Sequence, residues 1–282
     1  MMGGITVMGN EQLGVAINSE NFPDEVFREY IKANFDKDND GFLSEKEICS
    51  IEKIDVGKKE IYSLKGVEYF IHLVYLDCCE TKIRKLNISK NTALKKLYCA
   101  FTNIKELDIR KNITLESLDC KFTKVRKLDV SKNIALNTLC CKHTNIQELD
   151  ISNNTALKML VCGYTQIQEL DISKNINLWR VGCCNTKIKE LDVSKNTLLT
   201  TLCCGYTQIQ ELDVSKNTSL KVLDCSGTKI QELDVSKNSL LILKCHDTKI
   251  KPDISKETDL KQLGWNDRSI DALRTLCYFL VM

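Results

Sequence analysis

The chain has 282 residues, 43% hydrophobic, 28% charged and 6% aromatic, with a net charge of +2. That content can bury a large core, but two prolines and few aromatics argue against an ordinary compact enzyme, and the near-zero charge predicts neither nucleic-acid nor membrane binding. The balance is uneven: residues 1–75 carry 14 acidic and 8 basic side chains (net −6) and the remainder 24 and 32 (net +8), which points to two unlike modules. The opening "MMGGITVMGNEQLGVAINSE" lacks the basic end and apolar run of a secretory signal, and no stretch is long and apolar enough to span a bilayer. Residues 1–16 are expected to be a flexible leader.

Residues 17–51 read as helix, loop and helix. After the start signal "NFPD", Val26, Phe27, Tyr30, Ile31 and Phe35 recur at helical spacing, predicting a helix over 24–35. The loop "DKDNDGFLSEKE", residues 36–47, then places Asp36, Asp38, Asp40, Ser44 and Glu47 at positions 1, 3, 5, 9 and 12, with Gly41 at position 6. This matches the calcium loop of EF-hand proteins. Calcium takes about six to eight oxygens, which these side chains, the Phe42 carbonyl and a water can supply. One calcium ion is therefore expected, the bland alternative being an acidic, solvated connector. Ser44 and Glu47 also cap the outgoing helix. A single hand is expected to clamp its module onto the neighbouring coil rather than to signal.

Residues 52–75 look like a degenerate coil in which Ile61, Leu64, Phe70 and Leu73 keep part of an inward pattern. Nine copies of a 20–21-residue unit follow over 76–262, the range of a solenoid whose coils cover one another. Aligned on Leu97, the unit reads L-x-C-x-x-T-x-I-x-x-L-D-(I/V)-S-K-N-x-x-L-x-x. The LxC and LDI pieces each alternate like a half-buried strand, predicting two short parallel strands on opposite walls of a flattened coil. The Asn column (Asn91 to Asn238) and the Thr column (Thr81 to Thr248) supply side chains that bond turn backbone. At the far end "SIDALRTLCYFLVM" predicts a capping helix within 263–282, a membrane-surface helix being the alternative.

Fifteen cysteines is an odd number, and no CxxC occurs. Eight, Cys78 to Cys225, stand at intervals of 21, and Cys245 follows after 20. A cysteine is small and apolar in behaviour, so it fits a narrow coil where leucine would overpack. Parallel, in-register thiols are poorly placed for disulfides, and buried ones are inert. Cys79, Cys140, Cys184 and Cys203 lie off this column and are expected to be more exposed.

The two half-units and the period resemble the leucine-rich repeats, in particular the cysteine-ladder, internalin J-like type of bacterial surface protein, over residues 76 to about 262. Threonine replaces the usual asparagine of the first half. The resemblance implies a right-handed solenoid of the α/β horseshoe class, β-dominated, with cysteine strands on the concave wall. It also implies a binding or adhesion role and a secreted or cell-surface location; the missing signal and odd thiol count leave a cytoplasmic one open.

Thr138, Cys140, Met159, Val161, Gly182, Cys184, Thr201 and Cys203 make an uncharged strip on the expected concave wall. Phe101, Phe122, His143, Tyr164 and Tyr206 border it with rings, interrupted by Asn185. Such a strip fits a protein or glycan ligand, while the bland reading has the rings protecting the coil edge. On the other wall Asp108 to Asp234 and Lys90 to Lys237 are expected to compensate one another as a solvated face. The sequence thus favours a non-catalytic, monomeric binding scaffold with a structural calcium ion. A calcium-responsive regulator and a thiol- or carboxylate-dependent hydrolase are the alternatives; His72, His143 and His246 lie in different coils, with no nucleophile motif beside them.

Overall fold

A computed structural model describes residues 14–240 and 242–250; the expected capping helix and the end of the ninth repeat lie outside them. Two compact units are present, one running to Thr138 with Thr144–Ile146, the other comprising Leu139–His143 and the chain from Gln147.

In the first unit, strand β1 (Gly14–Ala16) pairs antiparallel with β2 (Phe42–Ser44), so the expected leader ends in a strand. Between them lies helix α1 (Glu25–Phe35). Asp24 caps it by accepting from the Phe27 amide at 3.0 Å, and its other oxygen accepts from the Tyr62 amide at 2.7 Å and the Ser63 amide at 3.2 Å. One carboxylate thus starts the helix and pins it to the degenerate coil. Helix α2 (Glu45–Ser50) follows β2 behind a full capping box of Ser44 and Glu47. Phe22 and Phe27 are buried at the junction, Phe22 stacking on Phe70 at 6.3 Å. Gly66, at φ 103°, is the one residue type that fits there, since a Cβ would sit 2.3 Å from the Phe22 ring.

The degenerate coil contributes β3 (Lys53–Asp55), and the repeats contribute β4 (Tyr75–Asp77), β5 (Lys96–Tyr98) and β6 (Ser117–Asp119), all parallel and in register. Strand β7 (Thr138–Cys140) follows in sequence, with Thr138 counted in the first unit and Leu139 and Cys140 in the second. The second unit continues with β8 (Met159–Val161), β9 (Arg180–Gly182), β10 (Thr201–Cys203), β11 (Val222–Asp224) and β12 (Ile242–Lys244). These too are parallel and in register. The 20-residue interval before Cys245 is absorbed between Asn238 and β12, because Val222 still faces Ile242 and Leu223 faces Leu243.

Each coil is held by the same four devices. Its core is a column of Leu, Cys, Ile or Val and Leu, of which Leu97, Cys99, Ile104, Ile109 and Leu115 are wholly buried. The Thr hydroxyl closes the first turn on its own coil, as Thr102 Oγ1 donates to the Cys99 carbonyl at 2.8 Å. The Asn amide reaches into the preceding coil: Asn112 Nδ2 donates to the carbonyls of Ile88 at 3.1 Å and Asn91 at 2.8 Å. Finally, the residue before each Thr is left-handed, from Glu80 and Phe101 through Tyr206 and Gly227 to Asp247.

The second wall departs from expectation. Among the described residues no strand forms at the LDI segments, because a bond such as Lys124 amide to Ile104 carbonyl, 2.8 Å, links neighbouring coils before that segment without extending into a ladder. Nor do the aspartates of this wall mainly compensate the lysine column. They turn back on their own loop, as Asp192 accepts from the Ser194 amide at 2.8 Å, an Asx-turn that needs no cation. Asp108 accepts from Arg110 Nε at 2.9 Å and Nη2 at 2.8 Å as well, which holds its carboxyl down at about 2.

Candidate functional site

The acidic loop is assembled by its turn residues. Asn39 (φ 60°) and Gly41 (φ 84°) fold the chain back over the end of α1. The carboxylates of Asp36, Asp38 and Asp40 then converge, with ligand oxygens all within 4.8 Å of one another. Asp36 is buried, its oxygens accepting from the amides of Asp40 and Gly41 at 3.2 Å each. Three converging like charges repel unless a cation joins them, and an all-oxygen set suits calcium. The Glu47 carboxylate is not gathered with them. Ser44 donates its hydroxyl to Glu47 at 2.8 Å, Phe42 lies in β2, and Glu47 accepts from the Ser44 amide at 2.8 Å and the Lys37 amide at 2.6 Å. Burial opposes ionisation of Glu47, but the bonds from Lys37 and Ser44 outweigh it and leave its carboxyl below the ordinary value.

The ring column stands on the left-handed position of the coil. Phe101, Phe122, His143, Tyr164 and Tyr206 all have φ between 54° and 57°. Bulky residues rarely accept this backbone, where Asn or Gly costs least. Stacking recovers part of that cost: Phe101 lies on Phe122 with centroids 4.4 Å apart, and His143 on Tyr164 at 4.1 Å. Phe101 and Tyr206 remain half exposed, at 48% and 50%. Tyr206 lies over Gly227, where a Cβ would come within 2.4 Å of its ring, and its hydroxyl meets His246 Nε2 at 3.0 Å. His246 Nδ1 in turn meets Ser226 Oγ at 2.8 Å.

The strip beside the rings is neither exposed nor free of charge. Val161, Cys184 and Cys203 are buried in one cluster, with Cys140 and Met159 packed against it half-buried. Short side chains on strands about 4.8 Å apart cover one another, so the off-column cysteines are shielded rather than displayed. Strand alternation also puts Arg180 on the face of Gly182, with its Nη1 4.0 Å from Met159 Sδ, and Asp224 on the face of Cys203. Period-2 alternation through β9 was the signal for Arg180; the shared left-handed turn and the Tyr206–His246–Ser226 chain had none.

The ladder thiols from Cys78 to Cys225 are buried, and burial pushes Cys99, Cys183 and Cys204 far up and Cys162 to about 12. Cys49, on α2, is exposed.

In-register parallel strands, a buried cysteine column and an asparagine ladder define a leucine-rich repeat solenoid of the cysteine-ladder type. Among solved structures the chain is similar to the functional domain of InlJ from Listeria monocytogenes, whose description includes a cysteine ladder. Identity is 27% and the TM-score 0.58, over 90% of this chain and 66% of that one. It therefore spans a little under two thirds of that structure. The internalins InlF and InlC2 of the same organism share the fold at 22% and 17% identity, with TM-scores of 0.71 and 0.60. They match over 89% and 86% of this chain and 83% and 98% of theirs. No protein-family model and no curated protein matches the chain.

Proposed function

We propose that the chain is a non-catalytic binding scaffold whose outer sheet face in the second unit takes a protein ligand. The observation that carries this is the placing of rings on left-handed backbone, where Asn185 marks the low-cost choice and Tyr164 and Tyr206 depart from it. His143 and Tyr164 spend one ring face each on the other, while Tyr206 meets His246 edge to face. Stacked faces are closed to a neutral sugar, and Tyr with Arg is the pairing that anchors protein interfaces, so the set favours a protein. Tyr164 and Tyr206, with Arg180 and Met159 beside the closed floor of Val161 and Cys203, are the contact residues. Similarity to InlJ supports a place outside the cell, and among the described residues no helix is long and apolar enough to cross a membrane.

Calcium on Asp36, Asp38 and Asp40 would act as a structural clamp, because α1 is tied through Asp24 to Tyr62 and Ser63 of the adjoining coil. When bound, the ion supplies charge neutralisation to the loop.

The test is a binding screen of the whole chain against arrayed surface proteins and glycans, with and without calcium, repeated with Tyr206→Ala and Tyr164→Ala. A protein hit weakened by either substitution supports the face. A hit indifferent to both, or a neutral glycan as the sole hit, overturns it. Calcium should raise the melting temperature without altering partner affinity; a change in affinity would favour a regulator.

A further inference from the structure

The first unit carries a second surface on its strandless wall. Lys105, Arg110, Lys124, Arg126 and Lys127 line a groove of about 790 Å³ running over neighbouring coils. Glu106, Asp108 and Asp129 share it, but Arg110 already binds Asp108 through two nitrogens, and Asp129 accepts from the Ser131 amide and hydroxyl at 3.0 and 2.6 Å. Among the described residues no ion pair holds Lys105, Lys124, Arg126 or Lys127. The preceding coil extends the charge with exposed Lys82, Arg84 and Lys85.

The repeat itself provides the comparison. At the positions of Arg84, Lys105 and Arg126, the second unit carries Gln147, Gln168, Lys189, Gln210 and Gln231. At the positions of Lys85 and Lys127, with Glu106 in the coil between them, it carries Glu148, Glu169, Glu190, Glu211 and Glu232. The turn and core need neither set, since Leu128 is buried beneath Lys124, Arg126 and Lys127 just as Leu170 is beneath Gln166, Gln168 and Glu169.

From this we propose that the groove binds a short sulfated oligosaccharide. A cation column stepping about 4.8 Å per coil suits a flexible polyanion whose charges are spread along its length. The wall holds no aromatic side chain between residues 82 and 90, 103 and 111, or 124 and 132, so a nucleic-acid strand would find no base-stacking platform. Among its described lining residues the one apolar side chain, Leu107, is buried, which leaves no exposed apolar anchor of the kind that centres a protein or peptide interface. Sulfates stay fully ionised and need charge alone. This surface is separate from the ring-bordered sheet face, and neither reading depends on the other.

The experiment uses the full chain and a fluorescently labelled, sized heparin fragment, followed by anisotropy over a series of salt concentrations. Desulfated heparin, polyglutamate and a single-stranded oligonucleotide serve as comparison probes. Combined Lys105→Gln, Arg126→Gln and Lys127→Gln should weaken heparin binding roughly tenfold or more and flatten the log–log salt slope by about 2. Lys195→Gln, Lys216→Gln and Lys237→Gln in the second unit should leave both unchanged. Should the triple variant melt early, the three single variants serve, each expected to lose about twofold or more. The proposal is overturned if heparin fails to bind at low salt or if the substitutions leave its affinity intact. It is equally overturned if desulfated heparin, polyglutamate or the oligonucleotide binds as tightly.

Discussion

Replacing Asn196 with alanine isolates the asparagine ladder. Its Nδ2 donates to the Ile172 carbonyl at 3.0 Å and to the Asn175 carbonyl at 2.9 Å, both in the preceding coil, and the side chain is fully buried. Alanine removes one of two donors from each carbonyl, which keep the amides of Asn175 at 3.0 Å and Leu178 at 3.1 Å, so two hydrogen bonds are lost at about 0.5 to 1.5 kcal/mol each. Asn196 Oδ1 is itself buried without a hydrogen-bond partner, so its removal returns part of that cost and the expected loss is about 1 to 2 kcal/mol. Aspartate is the sharper probe, because it keeps the shape but puts an oxygen where the amide nitrogen faced two carbonyls. At neutral pH Asn196→Asp should therefore cost more than alanine. Burial and those carbonyls raise the new carboxyl's folded pKa above its unfolded value, so the excess penalty should shrink as pH falls toward 4. Urea unfolding gives the total, and hydrogen exchange is needed beside it because coils can open locally. A loss below about 0.5 kcal/mol for alanine, or equal penalties for both variants at every pH, would refute the ladder as an inter-coil tie.

Gly227→Ala adds a Cβ at φ 63° and within 2.4 Å of the Tyr206 ring, so it should cost about 1 to 2 kcal/mol in a thermal melt and change Tyr206 fluorescence. Brief alkylation of the native chain, read by mass spectrometry, should label Cys49 well before Cys99, Cys162, Cys183 or Cys204, whose thiols are buried and held protonated. Asp108, Asp129, Asp171 and Asp192 have depressed folded pKa values, so their contribution is complete above about 3.9 and fades as pH falls through the folded values. A melting temperature flat from pH 7 to 5 and falling below pH 4 would show it. Calcium should raise the melting temperature of the parent and fail to raise that of Asp36→Asn with Asp38→Asn; equal shifts would remove calcium from that loop.

Much of the solenoid was legible because its determinants recur. A period of 21 makes Leu97, Cys99 and Ile104 recognisable as inward residues before any contact is known, and their equivalents are indeed buried. Asn112 was legible as a backbone partner for the same reason, although which carbonyls it serves follows only from the stacking. Two readings failed where repetition stops being informative. LDI alternates as a strand would, yet alternation reports which side chains are buried, while a strand also needs the next coil's amides in register, and only one wall provides them. The strip around Cys184 failed for a complementary reason: facing outward from a sheet does not expose a side chain shorter than its neighbours.

Where the repeat is broken, structure and sequence together say more than either alone. Positions that every coil must fill identically, the Cys, Thr and Asn columns, are fixed by packing and backbone bonding, and so say little about ligands. The left-handed position constrains only the backbone, and the wall positions 84, 105 and 126 constrain nothing but solvation, so residues there vary without touching the core. Rings gathered at the first kind of position and cations at the second are not demanded by any coil. Departures from the cheapest residue at unconstrained places are the part of such a chain that binding can account for, and here they fall on two different walls.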